Sequence, residues 1–321
     1  MEKPSSIERV VGNISEAEKE QILRDKGERF DDQIFEDLRG EEREKTPEEL
    51  QVISIANKAT NAIRQRYGLE NFDIPPDNIH VITEEAWSQE AWPQEKYPAY
   101  YDSMLQGVAM KEQPEKVGFL VKVFHEMLHF KSYNALQVTT AEDPELDGYR
   151  MGLVIHTRDG KKLYFANLNE AVTEEITKRV VTKLLDNPLF TEEARQTREV
   201  ITMYPEAVTG SGEPLFDDDV FYAKEVESEK SLGGEELTIQ CLTYKSERRI
   251  LNTLIDKILE KNPDKFQDKE EVFEVFAKGM ITGNILPVGR LVERTFGKGT
   301  LRKIGELDQD LRAQEEFVNS L

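Results

Sequence analysis

Two histidines four positions apart, with a glutamate beside the first, are the residues in this chain best arranged for chemistry: His125-Glu126-Met127-Leu128-His129. On a helix, positions i and i+4 lie one turn apart on the same face, so both imidazoles can reach a single metal ion. Glu126 stands next to the first ring, placed to hydrogen-bond a metal-held water rather than the metal itself, which is the task of a general base. Val123, Met127, Leu128 and Phe130 around it are uncharged, so this helix can be buried. The chain has four histidines, and a chance HExxH is then on the order of one in a thousand. The competing reading is a buried helix whose histidines merely bond polar neighbours.

A catalytic zinc needs three protein ligands and one open position. The candidate for the third is Glu170, in Asn169-Glu170-Ala171-Val172-Thr173-Glu174, 41 positions after His129. Glu174 lies one turn further along the same face. It can accept a hydrogen bond from the far nitrogen of a ligand histidine and so fix the ring's tautomer. In so acidic a chain, ExxxE alone reads as a solvated helix face; following HExxH, the ligand reading is preferred.

The elements that must hold these residues are legible in outline. Thr46-Pro47-Glu48-Glu49 carries strong helix-start signals, and the helix should run to about Tyr67 and end at Gly68. Ile79–Thr83 reads as a strand after Pro75-Pro76. Residues 87–101, with Trp87, Trp92, Tyr97, Tyr100 and Tyr101, read as an aromatic loop, packed over a core or walling a cleft. Gly107-Val108-Ala109-Met110 makes a short strand, and Pro114 opens a helix reaching about Leu136. Leu153–Ile155 and Leu163–Phe165 flank the turn pair Asp159-Gly160 as a hairpin. A helix then spans about Leu168 to Leu185. Residues 205–235 look loop-rich and acidic, and the remainder helical, with Ile250, Leu251, Leu254, Ile255, Ile258 and Leu259 striped at helical spacing.

These elements define an α+β chain in three parts. Residues 1–45 form a charged helical or partly disordered extension, 46–187 a catalytic domain, and 188–321 a helical C-terminal subdomain. The 63 acidic and 42 basic residues leave a formal charge of −21, which argues against nucleic acid as a partner, since phosphate binding needs basic patches. Cys241 is the single cysteine, so neither an internal disulfide nor a cysteine zinc cluster can form. No signal-peptide core and no stretch of 18 apolar residues stands out, so the expected location is cytoplasmic, with no membrane partner. Oligomeric state is left open.

HExxH at His125–His129 followed by NExxxE at Asn169–Glu174 resembles the thermolysin-like gluzincin zinc metallopeptidases, over roughly residues 115–180. The resemblance implies a zincin-like fold: a small sheet over the active-site helix, a hairpin, a Glu-ligand helix and a helical subdomain closing the cleft. It implies one Zn2+ per chain on His125, His129 and Glu170, with Glu126 as base and proton shuttle and Glu174 behind a ligand histidine. Glu174 stands where many members have aspartate, and Lys122 where they have a small or β-branched residue. Members also use a histidine or tyrosine to assist the oxyanion, and no histidine follows His156; Tyr244 and Tyr164 are the candidates, and either can equally be a core aromatic. An edge strand that pairs with a peptide or protein substrate is implied too, and Gly107, Val108, Ala109 and Met110 are the candidates for it. No HxxGxxH extension is present, which sets the metzincins aside. Two further readings stay open: a non-catalytic zincin-like scaffold that binds partners, and a zinc hydrolase of non-peptide amides.

Overall fold

Thr46 begins a long helix as its residue type predicts. Its side chain accepts from the Glu49 N–H, the Glu49 carboxylate accepts from the Thr46 N–H, and Pro47 occupies the first helical position. The computed structural model describes residues 6–28, 42–89, 98–208, 214, 216–227 and 235–321. Among them the chain is a mixed α+β protein.

The N-terminal half holds α1 (Glu16–Glu28), α2 (Pro47–Arg66), the short α3 (Glu84–Gln89), α4 (Lys116–Lys131) and α5 (Ala166–Leu184). The other half supplies α6 (Thr191–Met203), α7 (Lys245–Lys261), α8 (Lys269–Thr282), α9 (Leu286–Phe296), α10 (Thr300–Glu306) and α11 (Leu311–Ser320). A five-stranded sheet runs in the order β1 (Ile7–Val11), β5 (Asn134–Val138), β6 (Leu146–Met151), β7 (Val154–His156), β8 (Leu163–Tyr164). A three-stranded sheet has β4 (Gly107–Lys111) at its centre, parallel to β2 (Ile79–Ile82) and antiparallel to β3 (Ala99–Asp102). β9 (Val220–Glu227) and β10 (Glu235–Cys241) form an antiparallel ribbon.

α4 carries the two histidines and is buried on nearly every face, from Val117 to Lys131. It packs between α2, the β3–β4 side of the three-stranded sheet, and α5. α5 in turn packs on α7 and α8. One apolar core joins all of them, running from Val52 through Phe124 and Val172 to Leu254, Phe276 and Val318. The expected boundary between 187 and 188 therefore divides no core.

Several sequence expectations need correction. Residues before 46 are more than an extension: Ile7–Val11 is a strand paired in parallel with β5, and α1 packs against it. The helix expected to reach Leu136 stops at Lys131, because the Ser132 hydroxyl and the Asn134 amide take up the His129 carbonyl and Leu136 joins β5. The aromatic loop is partly regular: Trp87 lies in α3, and Tyr100 and Tyr101 lie in β3, while Trp92 and Tyr97 fall outside the described residues. Trp87 and Tyr100 pack together at 6.3 Å between ring centroids, a core role. Val220–Glu227 and Glu235–Cys241 are strands where acidic loop and helix were expected. The hairpin at Asp159-Gly160 is present, with Ile155 opposite Tyr164.

The two helices of the motif share an arrangement invisible to local sequence. Neither has a side-chain cap of its own. The Glu193 carboxylate from α6 accepts from the Lys116 and Val117 N–H groups at 3.1 and 2.8 Å. Asp308, following α10, accepts from the Ala166 and Asn167 N–H groups. Acids at helix N-termini satisfy orphan donors and complement the dipole. Asp308→Ala and Glu193→Ala are each expected to cost about 1–2 kcal/mol, read as a fall in the urea midpoint at unchanged slope. An unchanged midpoint in both would mean that these caps do not anchor the two helices.

Candidate metal centre

His125 and His129 project from one face of α4 toward Glu170 on α5, as their spacing requires. The His125 Nε2 lies 3.1 Å from the His129 Nε2 and 3.2 Å from Glu170 Oε2, and the His129 Nε2 lies 3.3 Å from the same oxygen. These three distances describe a nearly equilateral triangle. A tetrahedral zinc with bonds of ~2.0–2.1 Å has ligand–ligand edges of ~3.3–3.4 Å, so the triangle fits one face of that tetrahedron.

Behind the triangle, Glu174 Oε2 sits 2.7 Å from the His125 Nδ1. That contact holds the ring proton on Nδ1 and turns the Nε2 lone pair toward the triangle. Glu174 is fixed in turn by the Thr243 N–H, at 2.6 Å, and by the Thr243 hydroxyl, at 3.1 Å. Asn169 packs against His129, its Nδ2 3.3 Å from the His129 Nδ1, and its Oδ1 accepts from the Leu153 N–H at 2.9 Å. Gly152 makes room for this: its φ is +55°, and a Cβ there would collide with the Asn169 amide.

The electrostatics follow from burial and from three carboxylates around two rings. Burial opposes charging His125, yet Glu170 and Glu174, one at each ring nitrogen, lift its pKa well above the ordinary histidine value. Burial would raise the Glu170 carboxyl, but the His129 and His125 rings outweigh it and hold the group far below the usual range. A proton on His125 and a divalent cation are thus alternative ways of neutralising the same cluster. Burial lifts the Glu126 carboxyl, opposed by both rings and by the Tyr101 backbone N–H. Glu126 is not part of the triangle.

Beside the triangle lies a cleft of about 100 Å³, walled by Pro98, Ala99, Lys122, His125, Glu126, Glu174, Phe221, Cys241, Thr243 and Tyr244, among others. Tyr244 stacks on His125, with ring centroids 5.7 Å apart and planes 16° from parallel. It opens α7 at φ +55°, a left-handed conformation that marks a constrained position for a bulky residue. Tyr164 is not brought here; it lines a separate cavity with His156, Asp147 and Arg302.

Gly107, Val108, Ala109 and Met110 are not an edge. Their backbone pairs with β2 on one side and β3 on the other, and all four side-chain positions are buried. The antiparallel outer strand is β3. The Lys111 N–H donates to the Pro98 carbonyl, so the two-residue alternation of an antiparallel ladder points the Ala99 N–H and C=O away from β4. On the opposite side of this sheet β2 is bridged by Glu42 and by the Arg43 N–H.

Two other features were weighed against this site. A cavity of about 1230 Å³ is walled by ion pairs, including Arg248 with Glu175 at 2.9 Å and Arg179 with Glu270 at 2.9 Å. Asp217, Asp218 and Asp219 cluster, but Lys245, Lys178 and Arg248 neutralise them. No family model matches the chain, and no curated protein or solved structure matches it.

The donor set predicts one zinc per chain, lost in His129→Ala. Glu170→Gln should weaken zinc affinity severely, and Glu174→Gln by about 10–100-fold, since Glu174 orients His125 without entering the triangle. Competition against a zinc chelator, with elemental analysis, measures both. Equal affinity in wild type and Glu170→Gln would refute this ligand set.

Proposed function

We propose that this protein is a zinc-dependent metallopeptidase of the gluzincin type, with a zincin-like catalytic core acting on peptide or protein substrates in the cytoplasm. The observation that carries the reading is the tetrahedral-face triangle of His125, His129 and Glu170, with an unliganded carboxylate, Glu126, beside it in the cleft. A scaffold has no physical need for that fourth group. Three further features support the reading. α4 lies against a sheet with an antiparallel outer strand, β7 and β8 form a hairpin between α4 and α5, and helices close the other side. The single cysteine suits a reducing compartment, and no helix among the described residues is long and apolar enough to cross a membrane.

Zinc held by these three side chains would supply a Lewis acid that acidifies water and polarises a carbonyl. The rest of the chemistry belongs to the chain. Glu126, lifted in pKa by burial, takes a proton from the attacking water and returns it to the leaving amine. Glu174 keeps His125 in one tautomer and orientation throughout. Tyr244, against the His125 ring at the cleft wall, provides a phenol for the developing oxyanion. The outward N–H and C=O of Ala99, at the cleft wall, offer an extended peptide a backbone to pair with.

Glu126→Gln preserves side-chain size and all three ligands. Zinc content and melting temperature should stay at wild-type levels while hydrolysis of a library-selected peptide falls about 10²–10⁴-fold. Equal cleavage by the two proteins would refute the mechanism. Tyr244→Phe should slow turnover with zinc retained, and Tyr164→Phe should leave it alone. The reverse result would remove Tyr244 from the oxyanion role.

A further inference from the structure

Among the described residues, the cleft contains one cation without a task in the mechanism. Lys122 precedes His125 by three residues, so its side chain rises from the same face of α4, with Cβ atoms about 5–6 Å apart. It walls the cleft together with Ala99, His125, Glu126 and Tyr244. Lys122 is half-buried, and among the described residues its ammonium makes no ion pair or hydrogen bond.

The two acids that attract it are committed elsewhere. Glu174 is held by His125 at 2.7 Å and by Thr243. Glu115 accepts from the Gln240 amide at 2.9 Å and from the Tyr222 hydroxyl. Burial pulls the lysine down to about 8, so it remains charged at neutral pH. A half-buried charge without a partner is costly, whereas an aliphatic side chain of the same length would fill this wall without that cost. The position is therefore built to receive an anion.

We propose that Lys122 is a specificity-determining residue whose ammonium receives a substrate carboxylate next to the scissile bond, from an acidic side chain or a chain terminus. The inference rests on the peptidase reading of the cleft. The chain's overall charge of −21 does not oppose it at this range, since salt screens exposed charges beyond about 8–10 Å while a partly buried contact is screened far less.

The test uses zinc-loaded Glu126→Gln protein and labelled alanine–leucine heptapeptides, with a single Asp, Asn or Lys scanned through every position. Each peptide is made with a free and an amidated C-terminus. Anisotropy titration should show one position at which Asp binds about 10–100-fold tighter than Asn, the range of a charge-assisted hydrogen bond. If instead the free C-terminus supplies the carboxylate, the same advantage appears between acid and amide termini. Lys122→Met should erase the advantage, Lys122→Arg should keep most of it, and Lys122→Glu should transfer it to Lys peptides, all with wild-type zinc content. No preference in the Lys122 protein, or a preference that survives Lys122→Met, overturns the proposal. Cleavage by protein with an intact Glu126 is scored separately. Failure to hydrolyse any peptide refutes the peptidase reading, while the binding preference still reports on Lys122.

Discussion

Three electron-pair donors cannot rest within 3.3 Å of one another, out of water, unless something positive lies between them. That constraint organises the molecule around residues 125, 129 and 170. Each donor is held against mutual repulsion by a partner one layer further out. Glu174 pins His125, Thr243 pins Glu174, and Asn169 packs against His129 while it is itself held by Leu153. The chain of contacts crosses from α4 to α5, then to the start of α7 and to the turn before β7. Removing any one link leaves a buried polar group unpaired, which costs more than the contact itself gains.

The same logic explains why the chain has one core rather than two. α4 and α5 point their N-termini at carboxylates borrowed from far along the chain, Glu193 and Asp308. Apolar contact carries α5 against α7 and α8, and it fixes how closely the two helices approach; the borrowed acids fix where each begins. An arrangement built this way tolerates little sliding. A one-residue slip of α5 would turn Glu170 about 100° away from the histidines.

The two pairs four residues apart, His125 with His129 and Glu170 with Glu174, were the most legible part of the sequence, because each depends on helical spacing. His125, Glu126, His129, Glu170 and Glu174 fall where a 3.6-residue period puts them, and the start at Thr46 and the hairpin at Asp159-Gly160 follow from local turn chemistry. What was misread depends on partners distant in sequence. Whether Gly107–Met110 forms an edge or a centre is decided by where Ala99–Asp102 pairs, and nothing inside the segment records it. Ile7–Val11 becomes a strand because β5 is there to receive it. β9 was obscured by the acids preceding it, although Val220-Phe221-Tyr222 is strand-forming by composition. Lys122 stood out only as a departure from a pattern; that it has no partner among the described residues is visible only in three dimensions.

The cap that Asp308 places on α5 also imposes an order of events. The ribosome delivers α4 and its histidines long before residue 308, and domains tend to fold from the N-terminal side as they emerge. Until the segment after α10 arrives, the first turn of the helix bearing Glu170 has no acceptor for the Ala166 and Asn167 N–H groups. The triangle of His125, His129 and Glu170 thus rests on a helix whose N-terminal acceptor emerges 142 residues after Ala166. A nascent chain therefore carries the whole motif before the second of its two helices has its cap.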